Sequence, residues 1–131
     1  MKKLCMLVVD DSPLIRKMVE GFLRHASVQI DVLEAANAQD ALALAERRPV
    51  DLVLCDINMP ETDGLALLRK MREAENTRSV PVVIMSAEGS LSRVKEAVDA
   101  GANGFLRKPF AASEMREQII RVLAAPALKT Q

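Results

Sequence analysis

The sequence predicts an α/β fold: a five-stranded parallel sheet in the order 2-1-3-4-5, doubly wound with five helices. Three observations predict it. Strand-like apolar runs alternate with helical stripes five times along 131 residues, the pattern of repeated βαβ units. The first run, Leu4–Val9, is nearly all apolar, as a strand covered on both faces should be. Four of the five runs end in polar groups: Asp10-Asp11, Asp56, Ser86 and Lys108-Pro109. Such groups are costly beside a buried strand unless they meet partners at a crevice, and open α/β sheets have that crevice beyond the carboxyl ends of their strands.

Each element has its own local warrant. After the first strand, Ser12 offers an N-cap and Pro13 suits the first helical position. Leu14, Ile15, Met18, Val19, Phe22 and Leu23 then form one helical stripe. The run 31–35 is more polar, so it belongs at a sheet edge. Ala38, Ala41, Leu42 and Ala45 mark a second helix over 38–47, stopped by Pro49. The third strand covers 51–55, and the loop 56–63 carries Pro60. Gly64 opens a helix with Leu65, Leu67, Leu68 and Met71. Pro81 leads into the fourth strand, 82–85. A helix over about 91–100 ends at Gly101, a natural C-terminal stop. The short fifth strand is 104–107, and a last helix over about 112–124 places Met115, Ile119, Val122 and Leu123 on one face. Residues 126–131 read as a flexible tail. Right-handed crossovers put helices on both faces of the sheet. The strand order is flavodoxin-like, so strands 1, 3, 4 and 5 are successive neighbours and bring Asp10, Asp11, Asp56, Ser86 and Lys108 to one rim.

Composition narrows the possible functions. Lys+Arg 18 against Asp+Glu 18 leaves no net charge, so nothing favours nucleic acid or a membrane surface. With no Trp, no Tyr and three Phe, a base-stacking platform is absent. No apolar run is long enough to span a membrane. The basic start Met1-Lys2-Lys3 precedes an apolar stretch that soon ends at Asp10-Asp11 and lacks a small-residue cleavage site, so it reads as the first strand of a cytoplasmic protein. Cys5 and Cys55 lie inside apolar runs and read as buried reduced thiols. They lack C-x-x-C spacing, and His25 is the single histidine, so zinc is unsupported.

Three carboxylates gathered at one rim repel each other and must either raise a pKa or recruit a cation. Hard oxygen ligands favour Mg²⁺, which commonly shares carboxylates with a phosphate. One Asp is then free to serve as a nucleophile and form an aspartyl phosphate. A lysine opposite would neutralise charge on the transferred group, and Ser86 would donate a hydrogen bond to it.

These residues also carry a resemblance. The pieces 8–12 (VVDDS), 56–64 (DINMPETDG), 85–87 (MSA), 101–105 (GANGF) and 108–110 (KPF), in this order and spacing, resemble the receiver domain of two-component response regulators, and among those the stand-alone chemotaxis type. The resemblance covers residues 3–125. It implies a phosphorylation-activated signalling switch in which Asp56 accepts a phosphoryl group from a sensor histidine kinase. Mg²⁺ would be bound by Asp11, Asp56 and the backbone carbonyl of Asn58, with Asp10 acting through a water. Lys108 and Ser86 would hold the phosphate, and the Lys108–Pro109 bond would be cis. Ser86 and Phe105 occupy the switch positions, where Thr and Tyr are common in the family. Asn58 and Glu88 match the pair that tunes dephosphorylation.

The resemblance further implies output through the face made by the fourth helix, fifth strand and fifth helix. The downstream partner would be a motor switch, a phosphotransfer protein or a kinase. The expected state is a monomer or a weak phosphorylation-dependent dimer. Catalysis would be confined to self-phosphorylation and autodephosphorylation. Three alternatives stay open from the residues: a receiver fragment of a longer regulator, a Mg²⁺-dependent phosphatase with an aspartyl nucleophile, and a flavin-binding module. The phosphatases have two Asp separated by one residue, whereas Asp10 and Asp11 are adjacent. A flavin module would need a Gly- and hydroxyl-rich phosphate loop where this chain has those two acids.

Overall fold

The computed structural model describes residues 3–24, 29–59 and 63–129, with side chains described as far as residue 124. Met1, Lys2, His25, Pro60, Glu61 and Thr62 lie outside the described residues. The element order is β1 (Leu4–Val9), α1 (Pro13–Arg24), β2 (Ile30–Ala35), α2 (Ala38–Arg47), β3 (Leu52–Asp56), α3 (Gly64–Glu73), β4 (Val82–Ser86), α4 (Leu91–Asp99), β5 (Gly104–Arg107) and α5 (Ala112–Lys129). All strand pairs are parallel, in the order β2-β1-β3-β4-β5.

The alternation of side chains along each strand splits the core in two. Leu7, Val9, Val53, Cys55, Val82 and Ile84 face α2 and α3, where Ala41, Ala45, Leu65, Leu68 and Met71 meet them. Met6, Val8, Leu52, Leu54, Val83 and Met85 face α1 and α5, where Val19, Leu23, Met115, Ile119 and Val122 meet them. β3 and β4 are buried along their whole length, whereas β2 is half-buried and lies at the edge its polar residues predict.

Local chemistry sets the helix ends. Ser12 Oγ accepts from Ile15 N–H at 3.3 Å. The side chains of Asn37, Asp63 and Ser90 cap α2, α3 and α4. At the C-terminus of α4, Gly101 has φ +104°, its N–H bonds Val98 O, and Ala102 N–H bonds Ala97 O. This paired closure requires a left-handed residue, which Gly supplies without steric cost.

β2, β3, β4 and α4 end or begin one residue from the sequence reading, and β3 thereby includes Asp56; the last helix differs by more. α5 runs to Lys129, past the end expected near Ala124 and through residues 126–129 that read as the start of a flexible tail. The alanines and leucine flanking Pro126 are strong helix formers and carry the helical backbone across it.

Candidate phosphorylation and metal site

The carboxyl ends of β1, β3, β4 and β5 form one rim. Asp10 follows β1 and is 1 % exposed. Its N–H bonds Ala35 O on β2, and its Oδ1 accepts from Ser12 N–H at 2.9 Å. Asp56 is the last residue of β3 and is 5 % exposed. Asp11 stands beside them, exposed to solvent. One carboxylate oxygen from each of the three acids lies within 4.8 Å of the others.

Lys108 enters from the far side. Ser86 ends β4 and pairs with Arg107 of β5, and Lys108 N–H donates to Ser86 O at 2.8 Å. This register carries the lysine over the acids. Its Nζ lies 2.8 Å from Asp10 Oδ2 and 3.2 Å from Asp56 Oδ1. The Lys108–Pro109 peptide is cis.

The electrostatics follow from this crowding. Burial pushes the Asp56 carboxyl above its ordinary range and Asp10 adds to the rise. Lys108 and the Asn58 backbone N–H oppose it without cancelling it. For Lys108, burial alone would lower the pKa, but the hydrogen bond to Asp10 and the charges of Asp56 and Asp10 raise it on balance. Burial drives the neighbouring Cys55 thiol far up, and Asp56 and Asp10 reinforce this, so it stays a neutral thiol. Three ionised acids and one ammonium leave two negative charges. Those charges and the all-oxygen donor set fit a hard divalent cation such as Mg²⁺.

The remaining residues singled out from sequence sit around this centre. Ser86 is fully buried, and its Oγ accepts from Glu88 N–H at 3.0 Å, leaving its own O–H to donate. Phe105 is half-buried in β5 opposite Ile84. Asn58 and Glu88 are exposed, and each has its own side-chain partner, Arg93 for Asn58 and Ser90 for Glu88.

Three arginines, Arg16, Arg93 and Arg72, were not singled out from sequence, and Gly64 was read there only as a helix start within the segment 56–64. Arg16 donates to Asp10 O at 2.6 Å and to Glu34 at 2.9 Å, so it braces the turn after β1. Gly64 packs directly against the backbone of Asp56. Arg93, on α4, reaches Asn58, and Arg72, on α3, reaches Val80, Gly101 and Asn103 at the opposite end of the sheet; no sequence pattern marks either.

A sequence profile of the response regulator receiver domain matches residues 6–120. The chain belongs to the response regulator receiver family. It is 32 % identical over 121 residues to the chemotaxis protein CheY-3 of Vibrio cholerae, covering 92 % of each chain. It is 35 % identical over 118 residues to the two-component response regulator ORR5 of Oryza sativa subsp. japonica, covering 89 % of this chain and 87 % of that one. Among solved structures, it matches the receiver domain of the sensor histidine kinase PA1611 of Pseudomonas aeruginosa. The TM-score is 0.84 at 29 % identity, over 94 % of this chain and 99 % of that chain. That receiver was solved with a magnesium ion coordinated in its active-site cleft. As a CheY-like receiver, this chain is a signalling module of a two-component system. Among the described residues, no helix is long and apolar enough to cross a membrane.

Proposed function

We propose that this receiver is a switch thrown by phosphorylation of Asp56, with residues 3–125 as its working unit. The observation that carries the reading is the Lys108 ammonium, which bonds both Asp10 and Asp56 while Asp11 stands within ligand distance of the pair. Asp11, Asp56 and the Asn58 carbonyl would hold Mg²⁺, with Asp10 acting through a water. The PA1611 receiver, solved with magnesium in its active-site cleft, supports magnesium as the ion. When bound, the ion would offset negative charge on the phosphoryl oxygens.

The chain's own residues do the rest. A carboxylate oxygen of Asp56 attacks the phosphorus of a histidine kinase's phosphohistidine. The P–N bond breaks, its electron pair stays on the imidazole, and that nitrogen takes a proton from solvent. Lys108, already balanced between two carboxylates, follows the new charge onto the phosphoryl oxygens. The Ser86 O–H donates to the same group. Ser86 shifts toward Asp56, and Phe105 turns into the space left behind, which reshapes the face of α4, β5 and α5. The two states differ in their contacts to the phosphoryl group, and that difference biases the population. By linkage, a partner that prefers the active face must also favour phosphorylation.

Leu91 and Val98 on α4 and Ile120 on α5 are large apolar side chains left exposed. They suit a protein target such as a motor switch, a phosphotransfer protein or a kinase. They equally suit a weak dimer formed on phosphorylation by an otherwise monomeric, cytoplasmic protein. Turnover would be limited to acquiring and losing the phosphoryl group.

Acetyl phosphate with Mg²⁺ tests the reading. The label is expected on Asp56, lost in Asp56→Ala and strongly reduced in Asp11→Ala. Unchanged labelling of Asp56→Ala would refute it.

A further inference from the structure

Helix α4 carries one side chain that reaches back toward Asp56. Arg93, in its first turn, keeps only 19 % of its side chain exposed. Its Nη2 lies 3.4 Å from Asn58 Oδ1 and 3.9 Å from Asp63 Oδ2, and its Nη1 lies 3.4 Å from Glu96 Oε2. Asn58 and Asp63 are paired by an isolated bridge. The guanidinium therefore fastens both residues to α4. Asn58 lies two residues after Asp56, so Arg93 holds a side chain that is close in sequence to the acceptor.

The far end of α4 is held by a different arginine. Arg72 donates to Gly101 O at 2.8 Å, to Val80 O at 2.8 Å and to Asn103 Oδ1 at 2.9 Å. Those bonds are shorter than any that Arg93 makes. The looser attachment is thus the one facing the phosphorylation site.

Resting on Asp56 as the phosphoacceptor, we infer that Arg93 is a positioning residue that prolongs the phosphoaspartate by occupying the side-chain oxygen of Asn58. In hydrolysis a water oxygen attacks phosphorus, and the P–O bond to Asp56 breaks with its electron pair returning to the carboxylate. Inorganic phosphate leaves with the protons of the water. An amide oxygen two residues from Asp56 is an acceptor able to orient that water. Its bond to Arg93 takes one of its two acceptor positions and fixes the amide's orientation, so it is less free to hold that water. The positive charge of Arg93 would by itself ease attack on a phosphoryl dianion. That charge, however, is shared with Asp63 and Glu96 at a partly solvated site, where its net effect is small, so the occupied acceptor position prevails.

The test follows decay of the label on the 131-residue protein charged with ³²P-acetyl phosphate and Mg²⁺, then freed of donor. The proteins compared are wild type, Arg93→Met, Arg93→Gln, Asn58→Ala, and Arg93→Met with Asn58→Ala. Loss of Arg93 is expected to speed decay roughly two- to fivefold, the scale of a partly exposed charged contact. With Asn58 already replaced by Ala, loss of Arg93 is expected to add nothing. Decay of both Arg93 variants at or below the wild-type rate overturns the inference, as does an acceleration that persists in full without the Asn58 side chain. Wild-type protein that never takes label overturns the assignment of Asp56 and this inference together, a separate result from labelled proteins with equal decay. Urea unfolding of each variant identifies any that has not folded, and the Arg93→Gln protein carries the comparison should Arg93→Met be unfolded.

Discussion

Gly64→Ala tests how closely the backbone around Asp56 is packed. A Cβ at Gly64 would lie 2.2 Å from the Asp56 carbonyl oxygen, 2.9 Å from Ile57 Cα and 3.0 Å from the Asp56 carbonyl carbon. Ordinary contact begins at 3.4 Å, so the nearest approach falls short by 1.2 Å. All three obstacles are main chain, and none can swing away as a side chain would. That main chain is anchored: Ile57 N–H bonds Met85 O at 2.9 Å, and Gly64 N–H bonds Ile57 O at 2.8 Å. Relief must therefore come from displacing the end of β3, which carries the Asp56 carboxylate away from Lys108. Overpacking of this kind costs about 1–3 kcal/mol. A misplacement of about 1 Å at a reacting group can lower its rate on the order of a hundredfold.

The assay is urea unfolding together with the initial rate of Asp56 labelling by acetyl phosphate in Mg²⁺. The sign discriminates. Gly64 does not have a positive φ, and it sits in the first turn of α3. Without the clash, alanine would therefore stabilise the protein by about 0.4–1 kcal/mol. A Gly64→Ala protein that is more stable than wild type and labels at the wild-type rate would refute the packing argument.

Other perturbations probe the charges and braces around the site. Lys108→Met leaves Asp10 and Asp56 buried without their cation and is expected to cost roughly 3–5 kcal/mol in Mg²⁺-free urea unfolding; a loss under 1 kcal/mol would sink that expectation. Asp56→Asn is expected to stabilise the Mg²⁺-free protein at neutral pH, because burial and Asp10 already disfavour the charge. The raised folded pKa of Asp56 means that its favourable contribution is fully present below the unfolded value near 3.8 and is lost as pH rises through the folded value. The advantage of Asn over Asp must therefore grow with pH across that window, and an advantage that shrinks, measured by unfolding at a series of pH values, would contradict it. Arg72→Met removes the donor to Gly101 O, Val80 O and Asn103 Oδ1, and of these Asn103 Oδ1 keeps its bond from Val82 N–H. The expected loss is roughly 2–4 kcal/mol by urea unfolding, and a change within 0.5 kcal/mol would show the brace to be dispensable.

Much of this protein was legible along the chain, because the signals were local. Ser12-Pro13 fixed the start of α1, and Gly101 marked the end of α4. The alternation of apolar runs with helical stripes gave the parallel sheet. The change from Val9 to Asp10, and from Cys55 to Asp56, located the strand ends and hence the rim of acids. Each of these depends on side chains within a few positions of one another, where strand and helix periods and capping chemistry operate. The end expected for α5 near Ala124 falls short, because the helix formers on both sides of Pro126 continue the backbone to Lys129.

The tertiary structure decided what joins those local pieces. Lys108 reaches Asp10 across 98 positions of sequence, Arg93 reaches Asn58 across 35, and Arg72 reaches Asn103 across 31. No periodicity encodes which arginine on a polar helix face will turn inward, because an exposed and a clasped guanidinium have the same local pattern. Gly64 gives the same lesson on a smaller scale. Its sequence context shows a turn, whereas the need for a missing side chain arises only when the sheet brings α3 against the carbonyl of Asp56. The strand ends are set by composition, but the distances between them are set by the parallel register of the sheet, which forms only when the whole core closes.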